Sequence, residues 1–258
     1  MESAENKNDL LPYASTNTGG TPLSCGMPES EHLVITSNTM ADGFQAYVDW
    51  KNQKGLHSRI VFVEDILASS SGIDAQEKIR NFLIRAHSAG TRWVLLGGDE
   101  DVIPIRYLFA GNADTTVPAL AIQQIGDMYY ADLTGNWDAD GDGVWGETVH
   151  DQRDIYPEIY VGRVPVRKAS EAAIWSAKAV TYEKNPGGGD PAYLSKALVI
   201  CADEMRDLGQ HTTVSGWLSN SFTVDAQRLI EQPSGSSTSP TQPTGQQVID
   251  VMQEGWGF

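Results

Sequence analysis

WVLLGGDEDVIP, residues 93–104, runs from a short apolar segment straight into an acidic turn. Apolar residues with no polar alternation, closed by a glycine pair, read as a strand covered on both faces. Two similar runs precede it, LVIT at 33–36 and RIVFV at 59–63. Helical patterns lie between them. ADGFQAYVDWKNQKG places Phe44, Tyr47 and Val48 on one face, with Gly55 as its stop. The next helix opens with Asp74 and Glu77 spaced as a capping box. It carries the stripe Ile79, Phe82, Leu83 and Ala86, and ends at Gly90. Strand, helix, strand, helix, strand in that order predicts a parallel sheet with crossover helices. The GGDED turn then falls at the carboxyl end of the third strand, the edge where open α/β sheets build their sites.

Further along, residues 105–157 read as loop. EIYVGRVP (158–165) is a strand, followed by a helix over 169–184 with Ala173, Ala177 and Val180 on one face, closed by NPGGGDP. ALVICADE (197–204) is another strand. Val214, Trp217 and Leu218 mark a helix, FTVDAQRLI (222–230) an extended segment, and QQVIDVMQEG a short final helix. Residues 1–31 and 232–245 are rich in turn formers and read as an extension and a surface loop. The expected organisation is therefore an extension (1–31), a first α/β subdomain (32–126), and the acidic loop with the start of a second subdomain (127–258).

Charge excludes one class of partner. The 258 residues hold 18 Lys plus Arg against 34 Asp plus Glu, a net charge of −16. Nucleic acid needs a basic footprint, and none is present. Such acidity suits calcium-rich or extracellular settings. No run approaches the ~18 apolar residues that span a membrane, and the first thirty residues lack the apolar core of a signal peptide. Two cysteines, Cys25 and Cys201, make no disulfide framework. Cys201 reads as a core strand residue and Cys25 as a surface thiol. The chain stops at GWGF inside an apolar run, which reads as a cut.

The strongest local signal is NWDADGDGVWGE, residues 136–147. Asp138, Asp140, Asp142 and Gly143 occupy positions 1, 3, 5 and 6 of a D-x-D-x-D-G calcium loop. An EF-hand would place Glu at position 12, where Val149 stands. Glu147 closes the loop instead, with Asn136, Asp151 and Asp154 as candidate helpers. The expected role of the Ca2+ is structural, to pin a long irregular segment. The acids of Gly97–Asp101 form either a second site or a turn that caps the next element, and no P-loop lysine accompanies the glycines. Neither G-x-S-x-G nor H-E-x-x-H occurs. His32, His57, His87, His150 and His211 are scattered and read as surface residues, though His150 adjoins the acidic loop. Taken alone, the residues present no complete catalytic set.

Four motifs in series carry a resemblance: VDWKNQKG (48–55), WVLLGGDEDVIP (93–104), DMYYADLTGNWDADGDGVWGE (127–147) and PEIYVGRVPV (157–166). In this order and spacing the chain, over residues 33–258, resembles the gingipain-like cysteine peptidases, family C25. The resemblance implies a caspase-like α/β fold with a parallel sheet flanked by helices, here incomplete at its C-terminal end. It implies peptide-bond hydrolysis by a cysteine and a histidine, bound structural calcium, protein or peptide substrates, and an extracellular or cell-surface location. In the family the histidine sits in a G-H-G motif after a segment resembling VIDVMQEGWGF, and the cysteine follows. Both would then lie beyond residue 258, leaving this fragment inactive alone, and Cys201 and His211 do not replace them. Glu158 resembles the acid that orients the histidine, or else is a buried structural acid paired with Arg163. Asp138, Asp140, Asp142 and Glu147 are the family-like calcium ligands. An inactive, calcium-stabilised surface or adhesion module of a larger extracellular protein is the alternative. An unrelated doubly wound domain with a small ligand at its sheet edge is a third reading.

Overall fold

The computed structural model describes residues 30–110, 123–154, 156–222, 224–231 and 243–257. Cys25, nearly all of the N-terminal extension and most of the 232–245 loop lie outside the described residues. The chain divides into two compact units, one ending at Val180 and one beginning at Thr181.

The first unit is built on four parallel strands: β1 (His32–Thr36), β2 (Ser58–Phe62), β3 (Trp93–Gly97) and, later in the chain, β6 (Tyr160–Val164). Their order across the sheet is β2-β1-β3-β6. β1 is buried along its whole length and pairs with both β2 and β3, so its apolar run without alternation has a direct cause. Alternate residues feed two cores. Leu33 and Ile35 meet Ile79, Phe82 and Leu83 of α3 (Ala75–Ser88) on one face. On the other, Val34 meets Phe44 and Val48 of α1 (Ala41–Gln53) and Ala172 of α5 (Ala169–Lys184). Each such fully buried aliphatic side chain contributes about 1.5–3 kcal/mol relative to exposure.

Helix ends follow the sequence signals. Asp74 caps α3 by accepting from the Glu77 N–H at 2.8 Å, while the Glu77 carboxylate accepts from the Ile73 N–H at 2.6 Å. The return bond thus reaches one residue further back than a capping box would place it. Gly55 and Gly90, with φ of 88° and 111°, close α1 and α3. Gly43 lets α1 and α5 touch: a Cβ there would stand 2.4 Å from the Ala169 carbonyl oxygen, and Ser176 donates to the Gly43 carbonyl at 2.7 Å.

Three features depart from the sequence expectation. Val63 opens a separate helix, α2 (Val63–Ser69), rather than ending the second strand. The 105–157 segment contains a small antiparallel pair, β4 (Tyr107–Phe109) with β5 (Gln123–Ile125), and a one-turn helix, α4 (Met128–Ala131). A division after residue 126 does not coincide with the compact units. Trp93 pairs in register with Tyr160, so the EIYVGRVP strand completes the first sheet and carries the acidic loop into the first unit with it.

The second unit contains β7 (Lys196–Cys201) and β8 (Asp225–Ile230), paired in parallel from Lys196↔Asp225 to Cys201↔Ile230. α7 (Gln210–Phe222) packs on both strands, after the short α6 (Asp203–Asp207). Two short 3-10 turns precede β7, and α8 (Gly245–Met252) follows with a complete capping box between Thr244 and Gln247. Among the described residues, no helix is long and apolar enough to cross a membrane.

Candidate functional site

The acidic loop is closed at its neck before it reaches any cation. Asn136 and Gln152 exchange backbone bonds of 2.9 and 3.0 Å. Asp132, fully buried, gathers three backbone donors: Gly135 at 2.7 Å and Thr134 at 3.1 Å on one oxygen, Asp154 at 3.0 Å on the other. Arg80 of α3 donates to the carbonyls of Asp132 and Gly135 at 2.7–3.0 Å. Both ends of the loop are thereby fixed to the core, and Trp137 packs against Tyr129 beneath it.

Inside the loop, Gly141, Gly143 and Gly146 have φ of 78°, 82° and 84°. These left-handed positions let the chain turn tightly. Two overlapping groups result, Asp138 with Asp140 and Asp151, and Asp140 with Glu147 and His150; within each, the candidate donor atoms lie within 4.8 Å of one another. Asp151 also ties the loop together, accepting from Ala139 at 2.7 Å and from Gly146 and Glu147 at 2.8 Å. Of the expected ligands, Asp138, Asp140 and Glu147 converge. Asp142 belongs to neither group; its carboxylate accepts the Val144 N–H at 2.8 Å. Asp151 stands in its place. Asn136 and Asp154 serve the backbone instead, accepting from Asp138 and Tyr156.

One atom tests whether a cation fits. Glu147 Oε2 is shut off from water and accepts no hydrogen bond, and His150 Nδ1 stands 3.5 Å from it. A buried carboxylate oxygen without a donor is costly and calls for a positive partner. Oxygen donors in this number are the chemistry of a hard divalent cation. The residues fit the group that the sequence implies.

The second acidic stretch is arranged otherwise. At the carboxyl ends of β3 and β6, the Asp99 N–H bonds to the Val166 carbonyl, and the Asp99 carbonyl accepts from Val102 and Ile103. The Asp99 carboxylate accepts from Glu100 N–H at 2.9 Å and pairs with Arg167 at 2.6 Å. First the Glu100 N–H and then Arg167 hold its carboxyl below the ordinary range. Next to it, Arg163 forks onto Asp127 with two bonds of 2.8 Å and donates to the carbonyls of Gly98 and Ile103. GGDED is a capped turn knitted to arginines.

Glu158 stands at the other edge of the sheet, just ahead of β6. Its oxygens accept from the Leu133 N–H at 2.6 Å and the Thr134 hydroxyl at 2.9 Å. Burial alone would raise its carboxyl, but these donors bring it below its usual value. It is not paired with Arg163, which belongs to Asp127. Its observed work is to hold the 132–135 turn that leads into the acidic loop. Cys201 is buried at the end of β7, and among the described residues no hydrogen bond joins it to an imidazole. His87 and His32 face Thr91 and Ser58 respectively. Sequence reasoning gave no prominence to Asp132, Asp127 and Arg106. The last is 4% exposed, forks onto Asp74 at 2.8 Å, and lies between the rings of Tyr129 and Trp145.

A parallel sheet flanked by helices is the gingipain-type α/β arrangement. The crystal structure of the Arg specific cysteine proteinase gingipain R superposes with a TM-score of 0.59 at 20% identity, covering 92% of this chain and 47% of that one. The complex of Porphyromonas gingivalis RgpB pro- and mature domains gives 0.62 at 20% identity, over 88% and 46%. The chain belongs to peptidase family C25, whose pattern matches residues 28–258. It is 24% identical over 172 residues to Gingipain R2 of Porphyromonas gingivalis, which is 67% of this chain and 19% of that protein. Gingipain R1 of the same species matches at 24% over 67% of this chain and 14% of its own length. The chain thus spans about a fifth of the length of Gingipain R2.

Proposed function

We propose that this chain is part of a secreted gingipain-like cysteine endopeptidase that hydrolyses protein or peptide substrates, and that its acidic loop binds Ca2+ as a structural brace. The observation that supports the enzyme reading is the family match across residues 28–258. The nucleophile and base are assigned to residues beyond 258, because in the resembling family the histidine follows a segment like VIDVMQEGWGF and the cysteine comes after it, while Cys201 here is buried in a core strand. Glu158, engaged with Leu133 and Thr134, is assigned a bracing part in place of orienting the histidine. The acidic charge of the chain and a calcium requirement suit an extracellular or surface setting.

For the cation, Asp138, Asp140, Asp151 and Glu147 are the proposed ligands, and the buried, undonated Oε2 of Glu147 carries the assignment. Hard cations take oxygen, so His150 is a neighbour that shields Glu147 rather than a ligand. Asp142 would join only by turning its carboxylate away from Val144. When bound, Ca2+ supplies positive charge that cancels the mutual repulsion of these carboxylates and locks the loop.

Two measurements test the enzyme reading. The purified chain is expected to hydrolyse no peptide substrate, and thiol-dependent hydrolysis that vanishes in Cys201→Ala would overturn the assignment of the missing dyad. In the sequence following residue 258, a G-H-G histidine and a later cysteine are expected. Substituted residues at those positions would support the inactive, calcium-stabilised surface module instead.

A further inference from the structure

We propose that the outer edge of β6 is a docking surface for a second copy of this chain, the two β6 strands pairing antiparallel about Gly162. β6 ends the first sheet in the order β2-β1-β3-β6, and no described strand pairs with its other side. The Tyr160 N–H bonds to the Arg92 carbonyl, and the Val164 carbonyl accepts from the Gly98 N–H. Tyr160, Gly162 and Val164 therefore turn their backbone groups to β3. By the strand's two-residue period, Val161 and Arg163 turn theirs outward. Among the described residues nothing bonds to these outward N–H and C=O groups, which form a template for another strand. The usual deterrents are missing here. The Arg163 side chain is drawn in to Asp127, and no proline or lysine lies between Tyr160 and Val164. Tyr160 and Gly162 are exposed.

The pattern at this edge is complementary to itself. In an antiparallel pair, residues that exchange both backbone bonds alternate with residues that exchange none. Centring the pair on Gly162 sets Val161 of each copy opposite Arg163 of the other, so every outward N–H and C=O is used. Gly162 then faces Gly162 where paired strands come closest, about 4.5 Å between Cα atoms. Charge agrees with this direction. Asp154 and Glu158 precede β6, whereas Arg163, Arg167 and Lys168 end or follow it. Antiparallel pairing carries the basic end of each copy to the acidic end of the other, and parallel pairing would set like charges together. Lys168 is exposed and forms no ion pair among the described residues, so it is available to the second copy's Asp154 and Glu158. Strands of five residues bury little area, which makes this a weak, concentration-dependent dimer.

Sedimentation of the purified chain across micromolar to submillimolar concentration, together with amide hydrogen exchange, tests the proposal. The mass should rise from that of one chain toward that of two. The Val161 and Arg163 amides should exchange roughly tenfold more slowly once about nine chains in ten are paired. A Cβ at residue 162 would meet only Leu95 Cδ1, at 4.0 Å, so Gly162→Glu and Gly162→Lys fit the single chain. Each alone should stay a monomer, because like charges meet at the twofold centre, whereas an equimolar mixture of the two should dimerise. Lys168→Glu, at an exposed position, should weaken the dimer severalfold. A chain that stays single at every concentration would overturn the proposal, as would exchange at Val161 and Arg163 that does not slow with concentration. So would a dimer that persists in Gly162→Glu, or mixed variants that remain apart while each melts like the unaltered chain.

Discussion

The turn at 97–101 and the loop at 136–151 are both dense in acids, yet they solve the problem of their charge differently. At the sheet edge each acid near the core has a partner from the chain itself: Asp99 with Arg167, Asp127 with Arg163. The loop holds Asp138, Asp140, Asp142, Glu147 and Asp151, and no Lys or Arg between residues 136 and 151. Three or more of its carboxylates nevertheless converge, and one of their oxygens is buried without a donor. Counting acids therefore does not identify a cation site. The balance between acids and the protein's own cations tells the two apart: the loop has no Lys or Arg between residues 136 and 151.

The largest effect is expected at Arg106, whose guanidinium lies over the Trp145 ring of the loop. It is wrapped by Trp145 of the loop and forks onto Asp74 at the start of α3. Arg106→Met should cost roughly 3 kcal/mol in urea unfolding, since it strands the carboxylate that caps α3. Burial pushes the Asp74 carboxyl up, but Arg106 and the Glu77 N–H outweigh it and lower it. A lowered folded value means the stabilisation is complete above the unfolded carboxyl pKa and fades as pH falls through the folded one. The gap between wild type and Arg106→Met should accordingly narrow in acid, and a gap independent of pH would contradict this reading.

A smaller effect is expected at Gly146. With φ at 84°, and with Trp137 ring carbons 2.9 Å from where a Cβ would stand, Gly146→Ala should cost about 1–2 kcal/mol. It should also weaken calcium binding, because Gly146 and Glu147 share the Asp151 carboxylate. Smallest of all is Arg167→Ala. The Asp99–Arg167 pair lies at the surface, where ion pairs add little. Thermal melting should show no change beyond error, and a clear loss would mean that the edge arginines matter more than exposure allows.

Much of this was readable beforehand, and the failures have physical reasons. The apolar runs at 33–36, 59–62 and 93–97, the Asp74 cap and the 169–184 helix are local patterns that one segment expresses alone. α2 was hidden because Val63 extends the apolar run of β2 before the chain turns into VEDILAS. β6 joins the first sheet through a pairing with β3 that spans more than sixty residues, and nothing in YVGRV names its partner. In the loop, the spacing of Asp138 and Asp140 gave the first two converging acids. The D-x-D-x-D-G template points position 5 inward as the third. Here Asp142 is drawn to the Val144 N–H, and Asp151, outside the template, closes the group. The clamp at Asp132 left only one acid before a Thr-Gly turn as its signal, which is too common to single out.

Calcium titration of the purified chain by calorimetry, paired with thermal melting, tests the proposed cation site at residues 136–151 most directly. Saturable binding is expected, with the melting midpoint raised by roughly 5 °C at about 100-fold excess over the dissociation constant. Asp140→Ala, which removes the carboxylate common to both groups, should abolish the heat and the gain together. No heat and no stabilisation at millimolar calcium, or an Asp140→Ala chain that responds like wild type, would contradict the claim that residues 136–151 hold a structural cation.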